Sequence, residues 1–285
     1  MKNLKLFASF LVMVGAVLVS CNKNVDIPAT TPETGEEIVL NVDGAFDAVV
    51  DTKGTDITAL PTTLYWGATT GGNAAGSTEE TVKWATASGT VSSGKISTGK
   101  YQTSTATAYN YYVANQTFTA GGAMTVANNT TDIVVGRTFG SNASQPAVTV
   151  SHIFASMGTL TMNTQSGYTI SNVSWKIASS GSNTGTKGTY NVRTKAWSST
   201  TAYPETAIAS GSNLYLIPGT YTVKCTYTLT RGDWTGTFTK SASVTIVAGK
   251  KNNITGTATG GTASQIQINV TLEAWGSQNH TPTFS

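Results

Sequence analysis

The stretch Gln265–Trp275, QIQINVTLEAW, alternates without interruption. Ile266, Ile268, Val270, Leu272 and Ala274 fall on one side, and Gln265, Gln267, Asn269, Thr271 and Glu273 on the other. A two-residue period over this length is that of a β-strand with one buried face. Burying its four large aliphatic side chains would release roughly 6–12 kcal/mol of transfer energy. Such a strand has to dock on a sheet, either in its own domain or in a neighbouring molecule.

Outward from this strand the same period recurs. It is present in Tyr221/Val223/Cys225/Tyr227/Leu229, Val173/Trp175/Ile177, Val148/Val150/His152/Phe154, Tyr109/Tyr111/Val113 and Val82/Trp84. Ile38–Val42 forms a first short strand. Pro218-Gly219, Arg231-Gly232-Asp233 and Ala248-Gly249-Lys250 are the tight turns that hairpins need. Many short strands with frequent turns define an all-β chain, and 285 residues suffice for two Greek-key β-sandwich domains in tandem. The expected division is an N-terminal domain over 37–146 and a C-terminal domain over 147–285, with the boundary near Ala143–Ala147.

Only 11% of residues are charged and the formal charge is +3, with no cluster of Lys and Arg. This composition argues against nucleic acid as a partner. Lys2 and Lys5 precede an apolar run, Leu6–Val19, and then Leu18-Val19-Ser20-Cys21. A basic start, a short apolar core and small residues before the cut describe a signal peptide over 1–20. Leu-Val-Ser-Cys resembles the lipobox of bacterial lipoproteins, which makes Cys21 the expected lipidation site and the link to the outer membrane. Residues 21–36, polar and holding Pro28 and Pro32, read as a flexible tether. With Cys21 acylated, Cys225 has no disulfide partner, and its place on an alternating face makes it a small buried hydrophobe.

Chemistry-bearing motifs are sparse. Gly89–Lys95 has the outline of a phosphate loop, but Ile96 stands where Ser or Thr would hold Mg²⁺, and no helix follows. His152 and His280 are the chain's two histidines, which leaves no zinc spacing and no nucleophile elbow. The expectation is a non-enzyme without cofactor or metal. Trp84 and Trp175 lie on apolar alternations and read as core, whereas Trp197 and Trp234 lie in or beside Gly/Ser/Thr-rich loops. Those two are the candidate tip or glycan contacts.

From Asp132 onward the chain resembles the fimbrillin family, the subunits of type V pili. The resemblance rests on Asp132-Ile133-Val134-Val135-Gly136, on Val148–Leu160 with its central His152, and on Ile217–Val223 and Ala248–Ile254, taken in that order. It implies two transthyretin-like sandwiches exported as a lipoprotein, and a trypsin-like cut behind the first strand. It further implies that a strand of the next subunit fills the groove so opened, a form of β-strand addition. Carried onto this sequence, Lys53 is the maturation site, and Ile38, Val39, Leu40 and Val42 belong to the displaced strand. Ile266, Ile268, Val270 and Leu272 are then the donor residues. Lys53 stands where the family often has Arg, which puts an Arg-specific protease in doubt. The implied partners are neighbouring pilus subunits and host or bacterial surface glycans or proteins. Two readings stay open: a cell-surface pilus subunit or adhesin, and an outer-membrane-tethered glycan-binding lipoprotein that does not polymerise.

Overall fold

The computed structural model describes residues 35–45, 57, 59–71, 81–102, 107–181, 184–212 and 214–258, and the backbone of 259, 265–274 and 279–280. The signal peptide, Cys21, nearly all of the tether and Lys53 lie outside the described residues, as do the side chains of Ile266, Ile268, Val270 and Leu272.

Among the described residues the fold is all-β, without a helix. The first half contributes β1 (Glu36–Gly44), β2 (Thr63–Thr70), β3 (Thr81–Thr90), β4 (Lys95–Gln102), β5 (Tyr109–Ala114) and β6 (Ala123–Val126). Then come β7 (Val134–Ser141), β8 (Ala147–His152), β9 (Ala155–Thr164), β10 (Thr169–Ser179), β11 (Lys187–Asn191), β12 (Ala196–Thr201) and β13 (Thr206–Ile208). The chain continues through β14 (Tyr215–Leu216), β15 (Gly219–Arg231), β16 (Trp234–Ile246), β17 (Lys250–Thr259), β18 (Gln265–Ala274) and β19 (Asn279–His280).

The first sheet has the order β3-β2-β5-β7-β8-β1-β4. Its two end strands, β3 and β4, are consecutive in the chain and joined by a tight turn closed by the Ser92↔Lys95 bridge. The sheet therefore curls to bring its ends together around one core. Ile38, Leu40, Val42, Leu64, Trp66, Ile96, Tyr109, Tyr111, Val113, Val134, Val148 and Val150 form that core, with Trp84 packed against it. The strand of His152, which the expected boundary near Ala143–Ala147 places in the second domain, completes this first sheet by pairing with both β7 and β1.

From β9 the chain builds a second sandwich. One layer is β13-β10-β15-β16, the other β14-β9-β17-β18-β19. Tyr221, Val223, Cys225, Tyr227 and Leu229 all point into its core, as the period of two requires. Burial pushes the Cys225 thiol up to about 11. At pH 8 the folded protein should leave Cys225 unalkylated by iodoacetamide, and denaturation should release it; peptide mapping by mass spectrometry reads the difference. Tyr221 Oη accepts the Gly185 N–H (2.8 Å) and donates to the Ile217 carbonyl (2.7 Å), tying two connections to β15. Tyr221→Phe strands both buried groups and is expected to cost about 1–3 kcal/mol in denaturant unfolding.

A third sheet, β12-β11-β6, joins segments from both halves of the chain. Its core includes Tyr112, Met124 and Ile133 from before β8, and Phe154, Tyr190 and Tyr215 from after it.

Candidate strand-exchange site

The centre of β1, Ile38-Val39-Leu40-Asn41-Val42, alternates, so one face of three aliphatic side chains enters the core. Ile38 and Leu40 are fully buried and Val42 nearly so, while Val39 on the opposite face is half-buried. Burying the three accounts for roughly 5–9 kcal/mol, a large part of what keeps a domain folded.

The strand lies in a slot with a partner on each side. It runs parallel to β8, with Asn41↔Ala147 and Val42↔Val148, and antiparallel to β4, with Val39↔Ser97 and Leu40↔Ile96. Towards β8, Val39 N–H donates to Ser144 O (2.8 Å) and Asn41 N–H to Pro146 O (2.9 Å). Towards β4, Val42 N–H donates to Gly94 O (2.7 Å). Side chains fix the register further. Asn41 Nδ2 donates to Gln145 O (3.2 Å), and Thr98 Oγ1 donates to Ile38 O (2.6 Å).

Glu37 clasps the start of the strand, accepting from Ser97 Oγ and from the Gly99 N–H (3.1 Å). The Ser97 hydroxyl first, and then the Gly99 amide, hold its carboxyl below the usual carboxylate range. A lowered folded value means that this clasp contributes above the unfolded pKa and is lost as pH falls through the folded one.

The far side of the segment that contains Lys53 is fixed as well. Ile57 N–H donates to Asp132 Oδ2 (3.0 Å), and that oxygen also lies 2.8 Å from His152 Nδ1. Both side chains are buried. His152 is thus a structural partner of Asp132 in the first sheet, and the two residues that carried separate motifs in the sequence meet here. The Asp132 main chain is held by Asn115, whose Nδ2 donates to Asp132 O (3.0 Å) while its Oδ1 accepts the Val134 N–H (3.0 Å). The pairing of Asp132 with His152 and Ile57 was not readable from the sequence, because it joins positions 20 and 75 residues apart.

The other strand of interest, β18, pairs with β17 over ten residues, from Lys250↔Ala274 to Thr259↔Gln265, and its end meets β19. In this single chain it is therefore held within its own sandwich. Its sequence nevertheless repeats that of β1: Ile266-Gln267-Ile268-Asn269-Val270 against Ile38-Val39-Leu40-Asn41-Val42. The three aliphatic positions of the alternating face coincide, and so does the asparagine, while Gln267 stands where β1 has Val39.

The two tryptophans chosen as candidate contacts differ in setting. Trp197, expected in an exposed loop, lies on β12 and is half-buried against Phe154 (5.3 Å) and Tyr190 (5.1 Å). The reason is the pairing of β11 with β6, which brings an apolar surface from distant sequence beneath it. Trp234, at the tip of the β15–β16 hairpin, is exposed.

No family model and no curated protein matches the chain. Among solved structures it is similar to a fimbrial protein from Bacteroides vulgatus, with 13% identity and a TM-score of 0.53 over 84% of this chain and 99% of that one. It also aligns with provisionally assigned cell adhesion proteins from Bacteroides ovatus (14% identity, TM-score 0.49, 86% of this chain and 99% of that one) and Bacteroides eggerthii (16%, 0.47, 86% and 98%). At these identities the likeness is one of fold, and the fimbrial protein carries it.

Proposed function

We propose that this chain is a subunit or adhesin of a cell-surface pilus of the fimbrillin type, with a structural and not a catalytic role. In this reading it is exported and anchored to the outer membrane through acylated Cys21, and a trypsin-like protease cuts after Lys53. β1 then leaves, and the strand Gln265–Trp275 of a second subunit takes its place. The protein divides into two domains, with β8 kept in the first because it is the strand against which the incoming one pairs.

The observation that carries the reading is the match between slot and donor. Removing β1 uncovers three apolar pockets and the bonding edges of both β8 and β4, a template for one more strand. Ile266, Ile268 and Val270 reproduce the residues that filled those pockets, and Asn269 reproduces the amide that reached Gln145 O. A slip of one residue would put Gln267 and Asn269 into the core, so the register is strongly specified. Exchange replaces like with like, so cleavage, by removing β1 for good, sets its direction. The shared fold with a fimbrial protein agrees with this role.

The test uses the full chain, treated with trypsin-like protease and offered a synthetic peptide of residues 265–275. The peptide should be captured in a complex that survives gel filtration, and an Ile268→Asp peptide should not. Equal capture of both peptides, or of neither, would overturn the exchange mechanism. A tethered glycan binder that never polymerises is the second reading, favoured by the exposure of Trp234.

A further inference from the structure

The tip of the β15–β16 hairpin is built as a small platform, on elements that take no part in the proposed exchange. Gly232 adopts φ +56°, which the two-residue turn between Arg231 and Trp234 requires at its first central position. Trp234 and Phe238 stand on the same face of β16, with Gly236 between them. A Cβ at Gly236 would lie 3.0 Å from each ring, so its absence lets the indole and the phenyl close over the strand. Their centroids are 6.0 Å apart at 33°, and Phe238 stacks in turn on Tyr227 at 5.7 Å. The indole is thus braced, yet it is 48% exposed and is the one aromatic among the large hydrophobic residues that the described part of the chain leaves exposed.

Beside it opens a cavity of about 230 Å³ lined by Tyr168, Leu229, Arg231 and Trp234. Tyr168 comes from the connection between β9 and β10, on the other side of the hairpin. The Arg231 guanidinium packs over the Tyr168 ring (5.1 Å) and donates from Nη1 to its hydroxyl (3.2 Å). Arg231 forms no ion pair among the described residues, where Glu205 is instead bound by Lys176 and Lys224. Asp233, two residues along the turn, forms no ion pair with it. The tip therefore combines a fixed aromatic plane with an oriented guanidinium that has no carboxylate.

We propose that this tip binds a sugar that carries a carboxylate. The C–H face of a pyranose would lie on the Trp234 ring, and its carboxylate would meet the free N–H donors of Arg231, the side chain best shaped to hold that group. The cavity is smaller than the pockets that take drug-sized ligands, so it admits a single sugar ring at the end or the branch of a chain. The acid-bearing sugar has two sources, the sialic acids that end many animal glycans and the uronic acids of bacterial polysaccharides.

The intact chain would be titrated with 3′-sialyllactose, a glucuronic-acid disaccharide and lactose, with saturation-transfer NMR of the ligands as readout. At least one of the two acidic sugars should bind with a Kd of about 1 mM or tighter, and lactose roughly tenfold more weakly. Which acid is preferred names the source. Arg231→Gln should erase the difference between acidic and neutral sugars, and Trp234→Ala should abolish binding of all three. Gly236→Val, which leaves both contact residues in place but parts the two rings, should weaken binding as well. Equal affinity for lactose and the acids, transfer undiminished in Trp234→Ala, or no transfer from any of the three sugars would overturn the assignment.

Discussion

Asp132→Ala is expected to destabilise the first sheet by roughly 2–6 kcal/mol, the cost of leaving two buried groups without their shared partner. The carboxylate is shut off from solvent and serves two partners, His152 at 2.8 Å and the Ile57 amide at 3.0 Å. Truncation leaves a buried imidazole and a backbone N–H without it, and it opens a void beneath β8 as well. Asp132→Asn keeps one acceptor oxygen for Ile57 and should cost clearly less. Urea unfolding at pH 7 measures both. Equal losses would mean that the Ile57 tether carries no energy. Loss of the tether also bears on the proposed cut after Lys53, since it holds the chain at Ile57, four residues further on. In the intact protein, Asp132→Ala should therefore speed proteolysis of the segment before Ile57.

Leu40→Ala is expected to cost about 2–5 kcal/mol, because a fully buried Leu at the centre of β1 leaves a cavity walled by two sheet neighbours and the curled core. Val39→Ala, on the half-buried face of the same strand, should cost well under half of that. The contrast separates core filling from strand propensity, since both positions are strand residues that pair with β4 or β8. For a protein of this size the Leu40 change should lower the melting temperature on the order of 10 °C. If the proposed exchange operates, Leu40→Ala weakens the strand that leaves, and should make cleaved protein take up donor strand sooner. An effect on stability with no effect on uptake rate would mean that β1 leaves before, and independently of, the arrival of the donor.

Much of this was legible in the chain because alternation is a local signal. The last strand, β1 and the face holding Cys225 each declare their period within ten residues, and each forms the strand that its period requires. The all-β class and its turns follow from the same signal. What the sequence left out depends on distance. The place of β8 is set by β7 and β1, and β1 lies more than 100 residues upstream, so alternation could not say which side of a boundary it belongs to. Trp197 looked exposed because its neighbours are Ser and Thr, but the surface that covers it is delivered by β6 and Phe154. Tyr168 and Arg231 are 63 residues apart, and nothing in either segment points to the other. Gly236 between Trp234 and Phe238 was a readable hint, since a glycine flanked by aromatics at alternate strand positions leaves room for their rings to meet. The repeat of Ile-x-Leu/Ile-Asn-Val in β1 and β18 was readable too, and became meaningful once β1 was found with a partner on each side.

The most direct measurement is the N-terminal residue and intact mass of the protein recovered from the cell surface, together with its migration in SDS without boiling. The account predicts a chain that starts at Gly54 and runs as an SDS-resistant ladder, because β1 has been removed and subunits are joined through Gln265–Trp275. A chain that starts at acylated Cys21 and runs as a single monomer band would contradict it.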